Sequence, residues 1–379
     1  ARAAVGRDAV RRIAEECGDD FEVVEYDRFN DLRVQDEPLN KNMDYRSGVR
    51  EGDCVVAFSK NDIFKIRSEI EQSNPDLKCC VIYGSLPPET RASQAKLFND
   101  PNSPYKVLVA SDAVGLGLNL NIRRVVFHTI YKSNGKDIIR LPHSAVKQIA
   151  GRAGRRSSPY KFGEVAVRRK EDLKWVKRCL GTEIEQVKSA GLLPTSSHVS
   201  AFAGASGEQE MSKILTSFDE GAKLRGGYFM CKHGEMVKNA TRIDDEAAAA
   251  GGVLTAEDRF VLAAAPANGN DPVAQEMVAR FARGVAAGRT VGPNITVPSE
   301  RAESFEKLGE LCAKFNHLDL YLWLAQRFNS NALEVQSALT RKQVLVHMIQ
   351  DALTRASDEG GLTLKHDYRR TDERFRKMF

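Results

Sequence analysis

Between about residue 50 and residue 170, short β-rich runs alternate with helical patterns: "CVVAF", a helix near Asn61 to Gln72, "KCCVIY", a helix from Pro88 to Phe98, "KVLVA", "RRVVFHTI", a helix ending near Ala150, then "GEVAVR". That rhythm predicts an α/β fold built on a parallel sheet, because each buried strand is followed by a segment long enough to cross back over the sheet. In such sheets ligands bind at the loops that leave the strands, so the chemistry is to be sought there.

The flanking regions read differently. Residues 1–40 suggest one helix and one strand, "FEVVEY", then a polar link through Asp36, Glu37 and Pro38; one helix and one strand cannot make a domain, so this stretch reads as the tail of a preceding one. Residues 41–170 form the α/β lobe, and residues 171–379 a mostly helical region. In the last, Phe305, Leu308, Cys312 and Phe315 fall on one helical face, a core-packing pattern. "AAAAGG", Ala247 to Gly252, reads as a flexible joint.

Composition narrows the class. The 379 residues are 42% hydrophobic and 28% charged, enough to bury cores in roughly two or three domains. Net charge is +5, which permits an anionic partner without demanding one. The seven cysteines are scattered and never spaced CxxC, so they signal neither a disulfide framework nor a zinc site; Cys231 and His233 read as strand or turn residues. No run approaches the roughly 18 apolar residues of a membrane span. The first residues start without Met and are Arg-rich, as in a processed or truncated product.

Two loops carry the strongest chemical signals. "VLVASDAVGLGLNL" ends a buried strand and enters a loop with Ser111, Asp112, Gly115, Gly117 and Asn119; such a loop can aim hydroxyl and N–H groups at phosphates, with the carboxylate free to bind a ribose hydroxyl or orient an arginine. A structural turn would use the same glycines. Some thirty residues on, "QIAGRAGRR" sets Arg152 and Arg155 three apart, one helical turn, where two guanidinium forks can meet one phosphate. Between them "IYKSNGKDIIRL" carries Asn134–Gly135 flanked by β-prone residues, a two-residue hairpin signal. From Ile139 to Lys170 nine basic residues face a local acid, Glu164, as a polyanion groove would require. The C-terminal "KHDYRRTDERFRKMF" reads as a solvated tail or as a docking segment.

Taken in order, these segments resemble the second RecA-like lobe and C-terminal region of a superfamily-two RNA helicase. "AFSKND" is similar to the motif opening that lobe, "VIYGSLPPETRASQAKLFND" to its next segment, "SDAVGLGLN" to its fifth motif and "QIAGRAGR" to its sixth. "SAGLLPT", "GGYFMC" and "LDLYLWLAQRF" resemble the C-terminal region of the suppressor-of-Var helicases of the mitochondrial degradosome. The resemblance implies that Arg152 and Arg155 are arginine fingers reaching the γ-phosphate of ATP, with Gln148 a nucleotide contact beside them. Asp112, Gly115 and Gly117 would serve the nucleotide side, and Ser59, Lys60, Gly84, Ser85 and Ser111 the RNA backbone. It further implies a mitochondrial location, RNA and an exoribonuclease as partners, and a hairpin that serves either as a duplex wedge or as plain connection.

The pattern departs from the family in one respect. No G-x-x-x-x-G-K-[ST] loop is present, and no acidic pair closes a buried strand, so ATP and Mg²⁺ would be held mainly by a first lobe outside this sequence and the chain alone should not hydrolyse ATP. That leaves two other readings: a helicase-derived RNA-binding or structural subunit of a ribonucleoprotein such as a mitochondrial ribosome, and a fragment of a DNA helicase.

Overall fold

The computed structural model describes residues 6–24, 28, 30–39, 45, 47–115, 117–156, 158–231, 233–328 and 331–358. In chain order the first part runs α1 (Arg7–Cys17), β1 (Leu32–Val34), β2 (Asp53–Val56), α2 (Lys60–Ser73), β3 (Lys78–Ile82), α3 (Pro88–Asn99), β4 (Tyr105–Ala110), β5 (Arg124–Phe127), β6 (Tyr131–Ser133), β7 (Ile138–Arg140), α4 (His143–Ala150), β8 (Gly163–Val167) and α5 (Lys170–Gly181). Six strands form one parallel sheet in the order β1-β8-β5-β2-β4-β3. Both faces are covered, which is why these strands read as unbroken apolar runs. Alternate residues feed two cores: Cys54, Val56, Cys80, Ile82, Leu108 and Ala110 pack with Val146 and Ile149 of α4 and Val176 of α5. Val55, Ala57, Val81, Val107 and Val109 face the other way, onto Ile63, Ile66 and Ile70 of α2.

The region that follows is helical: α6 (Ser196–Ser206), α7 (Met211–Gly221), α8 (His233–Ala249), α9 (Ala256–Ala263), α10 (Pro272–Ala286), α11 (Phe305–Arg327) and α12 (Ala332–Asp358). A small parallel pair, β9 (Ala190–Leu192) with β10 (Tyr228–Met230), interrupts it. The face expected on α11 is formed: Leu308, Cys312 and Phe315 are buried, and Phe305 stacks on Phe64 of α2 with ring centroids 4.0 Å apart. The Tyr83 hydroxyl lies 3.7 Å from Cys312 Sγ, and Arg67 Nη2 donates to the Leu353 carbonyl of α12 at 2.9 Å. These contacts join the helical region to the α2 face of the sheet, and the two share one continuous apolar core.

Three local expectations change. Phe21–Val24 form no strand; Val23 and Val24 are exposed, and among the described residues no strand pairs with them. Glu25 and Tyr26 lie outside the described residues. The strand of this region is instead β1, from the stretch taken as a link, and it pairs Leu32 with Gly163 at the sheet edge. The "AAAAGG" joint is largely helix: α8 continues to Ala249 because Ala247 packs into the core, and the turn comes at Gly251, whose φ is 64°. The hairpin β6–β7 is present with a shifted tip. Asn134 N donates to Asp137 O at 3.0 Å and Asn134 Oδ1 accepts from Lys136 N and Asp137 N, so Gly135 and Lys136 make the turn. The C-terminal tail read as solvated or docking lies outside the described residues.

Candidate functional site

The loops leaving β2, β3 and β4 lie side by side because those strands are parallel neighbours. Ser111 N donates to Ile82 O at 2.9 Å, and Ala57 N to Ala110 O at 2.9 Å, so Ser59, Gly84, Ser85 and Ser111 emerge at one edge of the sheet. Their hydroxyls are already engaged or enclosed. Ser59 Oγ caps α2 by accepting from Asp62 N at 3.4 Å, and Ser111 Oγ accepts from Ala113 N at 3.1 Å. Each keeps its own O–H to donate, since a hydroxyl both gives and accepts. Ser85 Oγ is buried without a hydrogen-bond partner. Lys60 Nζ sits 5.5 Å from the centre of the Tyr83 ring. Gly84 is exposed, and nothing lies within 4 Å of where a Cβ would stand, so a ligand backbone has room to approach.

After Ser111 the chain makes a single 3₁₀ turn, Asp112–Gly115. It turns the Gly115 carbonyl toward α4 and the loop beyond it. Gln148 Nε2 donates to that oxygen at 3.3 Å, and Arg152 Nη2 donates to it as well. Arg155 Nη1 donates to Leu118 O at 3.0 Å and to Asn119 Oδ1 at 3.3 Å. Gln148, Arg152 and Arg155 therefore converge on the Gly115–Asn119 loop, some thirty residues before them in sequence. Each arginine uses only part of its fan of five N–H donors there and keeps others for an anion. Of the loop glycines, Gly117 has φ 69° and needs the left-handed region, whereas a Cβ on Gly115 would make ordinary contact, 3.5 Å, with Gln148 Cγ.

Asp112 is held in a way that its sequence setting did not suggest. Its Oδ2 accepts from Lys132 Nζ of β6 at 2.5 Å, so the carboxylate ties the loop to the hairpin. Two further residues support the arginine loop from outside the motifs. Arg28 donates to the carbonyls of Gly151 (2.9 Å), Ala153 and Gly154 (3.4 Å), and Asn30 Nδ2 to those of Arg155 (3.2 Å) and Tyr160 (3.3 Å). Burial, with Arg155 nearby, lowers the pKa of Arg28; burial lowers that of Arg155 as well. The cluster is thus a partly desolvated concentration of positive charge, the electrostatic setting that favours an anionic ligand. Neither Arg28 nor Asn30 belongs to a recognisable spacing, and no local signal would have found them.

Residues 39–157 match the helicase conserved C-terminal domain, residues 252–286 the Suv3 C-terminal domain 1, and residues 308–355 the C-terminal domain of the ATP-dependent RNA helicase SUV3. The chain belongs to the SUV3 helicase family. It is 39% identical over 350 residues to the mitochondrial DExH-box ATP-dependent RNA helicase DExH18 of Arabidopsis thaliana, covering 92% of this chain and 44% of that protein. It is 40% identical over 349 residues to the mitochondrial ATP-dependent RNA helicase SUV3L of Oryza sativa subsp. japonica, covering 92% and 46%. Against the mitochondrial ATP-dependent RNA helicase SUPV3L1 of Homo sapiens it is 34% identical over 356 residues, covering 91% and 44%. The SUV3-family chain described here thus spans less than half the length of these relatives. Among its described residues no helix is long and apolar enough to cross a membrane.

Proposed function

We propose that this chain acts as the second RecA-like lobe and C-terminal region of a mitochondrial ATP-dependent RNA helicase, completing an ATP site and an RNA track with a first lobe. The lobe expected over residues 41–170 and the C-terminal region expected over 171–379 take two amendments: β1 pairs with β8, so the tail of the first lobe ends before Leu32 rather than at residue 40, and α5 packs Val176 on the sheet, so the lobe runs on to Gly181. The observation that carries the reading is the convergence of Gln148 and Arg152 on the Gly115 carbonyl, with Arg155 on Leu118 O beside them.

ATP and Mg²⁺ fit this surface on one side only. Arg152 and Arg155 retain N–H donors suited to phosphate oxygens, while Asp112 is already paired with Lys132. The nucleotide would therefore be held mainly by the first lobe, with Arg152, Arg155 and Gln148 meeting it from this one and Asp112, Gly115 and Gly117 shaping the loop beneath. Bound ATP supplies the phosphoryl group to be cleaved. This lobe supplies positive charge where negative charge grows, an effect that contributes roughly 10³ to 10⁵ in rate for arginine fingers. Ser59, Lys60, Gly84 and Ser111 are the residues proposed to meet the RNA backbone, where hydroxyls, amides and lysine bind phosphate without reading sequence, and Ser85, its hydroxyl enclosed, would do so through its main chain alone. An exoribonuclease is the partner expected to take the unwound strand.

The test is RNA-stimulated ATP hydrolysis by the longest native form of the protein, beside an Arg152→Ala, Arg155→Ala variant. Stimulated turnover lost in the variant, with RNA binding kept, supports a motor with these arginines as fingers. Turnover unchanged in the variant sinks the assignment, and no turnover in either protein sinks the motor itself.

A further inference from the structure

One group of side chains beside the hairpin is used by none of the contacts above. Trp175, on the second turn of α5, is half-buried and donates its Nε1–H to the Leu141 carbonyl at 3.2 Å. The His143 ring packs against it at 5.1 Å between centroids, tilted by 52°. Two guanidinium groups sit against this indole: that of Arg140 is 4.8 Å from the ring centroid and that of Arg178 is 5.9 Å away. Arg140 also lies 5.6 Å from the Tyr131 ring and donates from Nη2 to the Tyr131 hydroxyl at 3.3 Å. Attraction between a guanidinium and the negative face of an aromatic ring restricts where the cation can go without consuming its charge.

The charge balance here is unusual for a structural cluster. Arg140 and Arg178 are both exposed, and among the described residues neither forms an ion pair with a carboxylate. The neighbouring acid, Asp172, is buried at 5% exposure within the first turn of α5, and its Oδ2 has no hydrogen-bond partner. The pair is thus a fixed positive feature facing solvent. An aromatic base would find the indole already occupied by guanidinium groups, whereas a phosphate oxygen would find free N–H donors in a planar fork.

Position gives the ligand its identity. The hairpin leaves the end of β5 and α5 follows the end of β8, so the cluster stands on the same edge of the sheet as Ser59, Gly84 and Ser111. Lys132, on the same hairpin, is joined at 2.5 Å to Asp112 of the loop that follows Ser111. A strand lying across the ends of β3, β4 and β2 and continuing in the same direction next reaches β5 and β8, where Arg140 and Arg178 wait.

We propose that Arg140 and Arg178, seated on Trp175, form a phosphate-binding site for the backbone of single-stranded RNA at the base of the hairpin. This rests on the RNA reading above. The site contributes affinity and path rather than sequence preference, because phosphate contacts position a strand without reading it.

The test is equilibrium binding of a labelled oligouridine to the full chain across a salt series, for the unsubstituted protein, the Arg140→Gln, Arg178→Gln variant and the Arg140→Lys, Arg178→Lys variant. Thermal melts of all three establish that each is folded. Loss of two phosphate contacts should weaken binding about tenfold at moderate salt and flatten the plot of log affinity against log salt by about 1.4 units, at roughly 0.7 per phosphate for single strands. The lysine variant keeps the charge and should keep the slope. Oligouridine binding by the unsubstituted chain with unchanged affinity and slope in the glutamine variant would overturn this site alone and leave the patch to a protein partner. No binding by the unsubstituted chain would overturn the RNA reading and this site with it.

Discussion

Lys132 Nζ lies 2.5 Å from Asp112 Oδ2, joining the first strand of the β6–β7 hairpin to the turn that ends β4. Both side chains are near 40% exposed, so the pair adds little to global stability, about 0.5 kcal/mol for an exposed ion pair. Its effect should be local. Lys132→Ala is expected to leave the thermal midpoint within about 2 °C of the parent while the amides of Ser133 to Ile138 exchange faster with deuterium. Unchanged exchange would mean that the hairpin is held by its own ladder, and the tie to Asp112 would have no mechanical role.

Gly154 and Gly117 make opposite tests of the loop geometry. Both have positive φ, 60° and 69°, yet a Cβ on Gly154 would stand 2.5 Å from Gly163 Cα and nearer still to its amide nitrogen, while nothing lies within 4 Å of one on Gly117. The neighbour at Gly154 is backbone of a buried strand and cannot move aside cheaply. Gly154→Ala should therefore lose about 4 kcal/mol in urea unfolding, and Gly117→Ala about 1 kcal/mol, the left-handed penalty alone. Equal losses would show that the arginine loop shifts freely against β8.

Much of this arrangement was legible in the chain because it rests on local periodicity. The unbroken apolar runs of β2 to β5 and β8 announce strands covered on both faces, and the strand–loop–helix order puts Ser111 and Gly115 near one sheet edge before any coordinates exist. Arg28 was illegible for the complementary reason. Its carbonyl partners begin 123 residues away, and a side chain that serves distant backbone leaves no pattern around itself. Lys132 is similar: a lysine on a hairpin strand reads as solvated until its partner is brought to it. The serine hydroxyls show a third case, in which residue type suggested ligand contact while the fold gave Ser59 and Ser111 capping and turn duties. The absent strand at Phe21–Val24 shows that β-propensity needs a neighbouring edge to be realised.

Arg28 is expected to be worth more than its place outside the motifs suggests. Its fork serves the carbonyls of Gly151, Ala153 and Gly154 and keeps the backbone around Arg152 and Arg155 in place. A lysine ammonium cannot span that set with the same geometry. Arg28→Lys should cost about 2 kcal/mol in denaturant unfolding, since at least one buried carbonyl loses its donor. An unchanged midpoint would mean that water replaces the fork at no cost.

Asp172 offers a prediction whose sign depends on pH. Burial raises its carboxyl pKa from 3.8 to about 6, against the opposing pull of Arg169 and Arg140. A carboxyl whose folded value lies above its unfolded value binds its proton more tightly when folded. It therefore penalises the folded state fully above pH 6 and ceases to do so below about pH 4. At neutral pH the penalty is about 3 kcal/mol, larger than the roughly 0.5 kcal/mol a carboxylate gains in the first turn of a helix. Asp172→Asn should accordingly be more stable than the parent at pH 7.5, by about 2.5 kcal/mol from urea midpoints, with the difference shrinking to a few tenths at pH 4. A gap of the same size at both pH values would assign the effect to packing and place the ionised carboxylate in contact with solvent or with Arg140.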